Sequence, residues 1–80
     1  MKQKSLTIKT SLDARQAAFF VQTASKFESK IQVAIGEKKI NAKSIMGTIS
    51  LGISEGQNAI LSAEGFDEEL AIKELSQVLA

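Results

Sequence analysis

The chain has 80 residues, 44% of them hydrophobic, with ten Lys/Arg against nine Asp/Glu and a net charge of +1. That is the scale of one small domain, residues 1–80, with a thin core. Cysteine and histidine are both absent, which excludes disulfides, thiolate or imidazole metal sites, and histidine-based acid–base or phosphoryl chemistry.

No apolar run approaches the roughly 18 residues of a membrane span, and the N-terminus lacks the apolar core of a signal peptide. The expectation is a soluble, cytoplasmic protein that carries no metal and no cofactor. Charge is unevenly spread. Residues 1–43 hold nine Lys/Arg and three acids, and residues 44–80 hold one Lys and six acids. Such asymmetry can mark a nucleic-acid surface. The four aromatics, Phe19, Phe20, Phe27 and Phe66, do not interleave with the basic residues, so no direct nucleic-acid binding is expected.

Residues 3–9 alternate, with Leu6 and Ile8 on one face and Ser5, Thr7 and Lys9 on the other, as in a half-buried strand. Asp13 then reads as a helix N-cap, with Gln16 three residues on as a variant capping box. The helix runs to about Phe27. Ala17, Phe20, Val21, Ala24 and Phe27 recur at three- and four-residue spacing and mark its buried stripe, while Arg15, Ala18, Gln22 and Ser25 fall on the other side. A second strand covers residues 30–35, with Ile31, Val33 and Ile35 facing in. Gly36-Glu37 is a two-residue turn signal, and Lys38 to Asn41 returns as the second arm of a hairpin.

Ser44 follows at the start of a short apolar helix that Gly52 ends. Ser54-Glu55-Gly56 is a turn. Residues 58–64 form a last strand, with Ala59, Leu61 and Ala63 on one face, and Gly65 breaks it. Asp67 reads as the cap of the final helix, with Glu68 and Glu69 complementing its dipole. Phe66 is placed to staple onto Ala71, and Glu69 to pair with Lys73. Ala71, Leu75, Val78 and Leu79 supply the last apolar stripe.

The order β-α-β-β-α-β-α predicts an α+β open-faced sandwich. Its four-stranded, mostly antiparallel sheet carries three helices on one face. The other face, with Ser5, Thr7, Lys30, Gln32, Ser62 and Glu64, is polar enough to meet water.

On local sequence alone, Ser44 reads first as a helix cap. A helix N-terminus also accommodates anions through its free N–H groups and dipole, so a phosphate on Ser44 fits there, with Lys43 beside it. Ile45, Met46 and Ile49 follow on a helix too short to bury all three, which leaves an apolar docking patch. Arg15 in a first helical turn is mildly unfavourable for the dipole, and its guanidinium suits a carboxylate or phosphate on a partner. Asp13 reads as a cap, with an acyl-phosphate acceptor as the alternative.

At this point the chain resembles the HPr family, the small phosphocarriers of the bacterial sugar phosphotransferase system. The resemblance rests on Lys43-Ser44-Ile45-Met46-Gly47 with Ser50-Leu51-Gly52. Val21-Gln22, Ala24-Ser25-Lys26-Phe27 and Gly65-Phe66-Asp67-Glu68 support it. Members of that family carry phosphate on a histidine within His-Ala-Arg-Pro and are phosphorylated by a dedicated kinase on the serine of Lys-Ser-Ile-Met-Gly. Here the first motif reads Asp13-Ala14-Arg15-Gln16, so Asp13 stands at a degenerate active-site position, while the second motif is intact at Ser44. Lost histidine with kept serine is similar to the family's Crh-type regulatory branch, although the aspartate and Gln16 depart from that branch too.

The resemblance implies a regulatory protein rather than an enzyme. Its expected partners are an HPr-type kinase/phosphorylase, acting on Ser44, and a catabolite-control transcription factor. It also implies a partner surface with Arg15, Ala18 and Gln22 on one rim and Ile45, Met46 and Ile49 on the other. The alternative reading is a degenerate phosphocarrier that binds phosphotransferase-system proteins, or a metabolic enzyme, without phosphorylation. The polar first strand could also exchange between chains and give a homodimer.

Overall fold

The computed structural model describes all 80 residues. The elements are β1 (Lys2–Thr7), α1 (Ala14–Ser25), β2 (Lys30–Ile35), β3 (Lys38–Asn41), α2 (Ile45–Leu51), β4 (Asn58–Glu64) and α3 (Glu68–Leu79). The strands lie in the order β1-β4-β2-β3, and every pairing is antiparallel.

Alternation along each strand decides which face is dry. On β4, Ala59 stands opposite Leu6 of β1, Leu61 opposite Val33 of β2 and Ala63 opposite Ile31. With Ile8, Phe20, Leu75 and Leu79 they form a buried core under the helices. The register places Ser5, Thr7, Lys30, Gln32, Ser62 and Glu64 on the opposite face, each exposed or only half-buried. All three helices cover the apolar face: α3 lies on β4 and β1, α2 against β3, and α1 between them.

Helix α1 starts as its cap predicts, with Asp13 Oδ1 accepting the Gln16 N–H at 2.9 Å. It stops at Ser25, two residues short of expectation. The N–H groups of Lys26 and Phe27 turn to the carbonyls of Thr23 and Ala24 in a tighter last turn. Ala17, Phe20, Ala24 and Phe27 are buried as the stripe requires, Val21 is half-buried, and Thr23 is buried as well. Thr23 is satisfied there because its hydroxyl donates to the Phe19 carbonyl.

The start of α3 departs from its local sequence pattern. The Asp67 side chain makes no capping bond to the helix. Its carboxylate reaches across the molecule and accepts the Glu28 and Ser29 N–H groups at 2.9 and 3.0 Å, together with the Ser29 hydroxyl. Glu68 accepts the Gly65 N–H instead, at 3.1 Å. Phe66 is 87% exposed and staples nothing. Glu69 pairs with Lys2 of β1 at 3.3 Å rather than with Lys73, a surface contact of small energetic weight.

Candidate functional site

The junction between β3 and α2 is built by short-range bonds. Asn41 turns the chain: its side chain accepts the Lys43 N–H at 2.8 Å and its carbonyl accepts the Ser44 N–H at 3.0 Å. Ser44 has extended backbone, φ −101° and ψ 115°, and its Oγ accepts the Gly47 N–H at 3.1 Å. The Ser44 carbonyl takes two bonds from Thr48, one from its N–H at 3.0 Å and one from its hydroxyl at 2.8 Å. Thr48 and Leu51 are buried and hold α2 down. Gly52 closes the helix in the left-handed conformation, φ 67°, and donates to the Ile49 carbonyl.

With one face anchored, a seven-residue helix must show the rest to solvent. Met46 is 72% exposed, Ile49 49% and Ile45 38%. Together with half-buried Ser44 they form an apolar patch around a hydroxyl.

Helix α1 lies beside this patch and runs against it. Lys43 is half-buried, and its ammonium donates to the Phe27 carbonyl at 2.7 Å, tying the start of α2 to the end of α1. At the other end the Leu12 N–H donates to the Ile53 carbonyl at 3.0 Å, and the Glu55 N–H to the Ser11 hydroxyl at 2.8 Å. Asp13 and Arg15 therefore stand by the end of α2, and Ser44 stands at its beginning. The two are separated by about 10 Å of helix at 1.5 Å per residue.

One expectation changes as a result: Lys43 is occupied with the Phe27 carbonyl rather than turned to the serine. Ile45, Met46 and Ile49 span the distance between the two ends. Arg15 and Gln22 are exposed on α1, and Ala18 is half-buried.

Sequence reasoning passed over a second surface. Phe19 is 58% exposed and lines a groove of about 740 Å³ between α1 and α3 with Thr23, Leu70 and Val78. The Lys26–Glu74 ion pair, 3.1 Å, crosses it. The signal was present in the spacing: Phe19 falls outside the 17-20-24-27 stripe.

The fold and site define a small α+β domain with an open antiparallel sheet and a serine-capped second helix. The chain matches the family described as "PTS HPr component phosphorylation site" over residues 2–80 and belongs to the HPr family. It is 49% identical over 74 residues to the HPr-like protein Crh of Halalkalibacterium halodurans, covering 92% of this chain and 88% of that one. The crystal structure of HPr-C-His from Thermoanaerobacter tengcongensis superposes with a TM-score of 0.91 at 58% identity, covering 99% of this chain and 91% of that one. Crh of Bacillus subtilis, a swapped, intertwined dimer, superposes with a TM-score of 0.79 at 42% identity, covering 99% and 91%. In the present chain β1 pairs with its own β4.

Proposed function

We propose that this HPr-family protein is a regulatory phosphoprotein of the Crh type. An HPr-type kinase modifies Ser44, and the phosphorylated form is the cofactor of a catabolite-control transcription factor. In the modification the Ser44 oxygen attacks the γ-phosphorus of ATP. The bond to ADP breaks, and the hydroxyl proton passes to a base on the kinase.

The observation that carries the reading is the pairing of an intact Ser44 junction with a chain that has no histidine. A phosphohistidine carrier needs an imidazole nitrogen as nucleophile and leaving group, and Asp13 instead spends its carboxylate on capping α1. Similarity to Crh supports the regulatory side of the proposal.

Phosphorylation adds about −1.5 to −2 charges and three acceptor oxygens beside an apolar patch. Ile45, Met46 and Ile49 supply contact area for the partner. The phosphate supplies the switch, and because Arg15 lies at the far end of α2, the cation that reads it comes from the partner. One charge-assisted contact is worth roughly 1.5–3 kcal/mol, or about ten- to a hundredfold in affinity.

Incubation with HPr-type kinase and labelled ATP, followed by peptide mapping, should place one phosphate on Ser44 and none in the Ser44→Ala variant. Calorimetric titration of the transcription factor should then show tighter binding by the phosphorylated protein. Equal affinities would reduce Ser44 to a helix cap.

A further inference from the structure

Gly47 occupies the third position of α2, inside a helix of only seven residues. Glycine in a helix interior costs about 1 kcal/mol relative to alanine. Its backbone is not in the left-handed region, so conformation does not call for glycine here. Space does. A Cβ on this residue would stand 3.2 Å from Ser44 Oγ and 3.4 Å from both Ser44 Cβ and Ile40 Cβ. Ile40 is packed against the core from β3 and cannot withdraw freely.

We infer that Gly47 is a positioning residue for the modification of Ser44, keeping the flank of the hydroxyl clear; the inference rests on the phosphorylation proposed above. In the unmodified protein the hydroxyl is small and can give by the few tenths of an ångström that a methyl group would demand. Once Oγ is an ester oxygen it carries a phosphorus and three further oxygens, and the retreat is closed on one side by the methyl and behind it by Ile40. The same crowding acts during transfer, because Oγ must turn a lone pair toward the γ-phosphorus of ATP. A methyl at residue 47 is therefore tolerated before phosphorylation and resisted during and after it.

The test is a cycle of four proteins made by semisynthesis: Gly47 or the Gly47→Ala variant, each with serine or phosphoserine at position 44. Urea unfolding midpoints are compared. The substitution should leave the midpoint unchanged or raised with serine, and lower it with phosphoserine. Initial rates with HPr-type kinase and ATP should fall about tenfold or more in the Gly47→Ala variant, given the scale of penalties for overpacked sites. Ser50→Ala, at an exposed position of α2, controls for helix propensity and should leave the rate unchanged.

Two results overturn the inference. One is an equal midpoint change in the serine and phosphoserine pairs. The other is a Gly47→Ala protein that unfolds without phosphate, which would show that the glycine serves packing alone. A kinase that labels neither protein sinks the proposed function, and the semisynthetic cycle still decides the role of Gly47.

Discussion

Two of the three connections that lead into helices are built in opposite ways. At the β4–α3 turn, bonds reach across the chain. Asp67 gathers two backbone N–H groups and a hydroxyl from the α1–β2 loop, 38 and 39 positions away. Gly65 is pressed onto Ser29 so closely that a Cβ would meet its Oγ at 2.6 Å and its Cα at 2.7 Å. At the β3–α2 turn most bonds run between residues at most four apart, with two longer reaches, Lys43 to the Phe27 carbonyl and the Ala42 N–H to the Ile31 carbonyl. The apolar side chains beyond that turn face water. The first turn locks the fold. The second is held mainly by local bonds and leaves Ile45, Met46 and Ile49 exposed. The two turns meet on the α1–β2 loop, where Lys43 bonds to Phe27 and Asp67 to Glu28 and Ser29, but they differ in what they expose.

The largest expected effect tests the locked turn. Gly65→Ala puts a methyl into the Ser29 backbone, which a side-chain rotation cannot relieve. It should lower stability by about 1–3 kcal/mol or more, seen as a fall in the urea midpoint, while the fraction that remains folded is still modified at Ser44. A variant as stable as the parent would mean that the loops are not clamped.

Acid sharpens the same contrast. The Ser29 hydroxyl, followed by the backbone N–H groups of Glu28 and Ser29, holds the Asp67 carboxyl below the usual carboxylate range, against the opposing effect of desolvation. The Gly65 N–H, and after it the N-terminal ammonium, does the same for Glu68. Because both groups are more acidic folded than unfolded, their contribution is present at neutral pH. It fades as the pH drops below about 4, through the lowered values. Asp67→Asn should therefore be less stable than the parent at pH 7, with the two proteins converging in acid. A gap in urea midpoint that stays constant from pH 7 to pH 2 would rule out this linkage.

The smallest effect on stability is expected at the open turn. Met46→Ala removes a side chain that is 72% exposed and should shift stability by no more than about 0.5 kcal/mol. Phosphorylation of Ser44 should continue, and binding of the phosphorylated protein to the transcription factor should weaken in calorimetry. Unchanged binding would remove Met46 from the partner surface.

The same contrast explains which features could be read from the sequence. Strands β2, β3 and β4 fall on the residues that alternation and turn chemistry indicate, because those signals are local. The Asp13 and Ser44 caps were legible for the same reason: each closes on an N–H three residues ahead. Asp67-Glu68-Glu69 carries the local signature of a cap, yet its carboxylate found stronger donors on another loop. No pattern within one turn of helix could reveal that. Glu69 likewise chose Lys2 over Lys73 because β1 lies alongside α3, a fact of topology. At the candidate site the residues were legible but their arrangement was not. Only the antiparallel packing of α1 on α2 shows that Arg15 and Ser44 lie at opposite ends of the patch.

The strand order has a consequence for how the protein is made. β4 lies between β1 and β2, so Lys2 must wait for Ala63, and Lys30 for Glu64, before either can find its place in the sheet. Contacts so distant along the chain are slow to form, because a long loop must close before any of them is gained. During synthesis the first half of the protein is a strand, a helix and a hairpin whose strands have no common neighbour, and the full sheet assembles only when the last strand arrives.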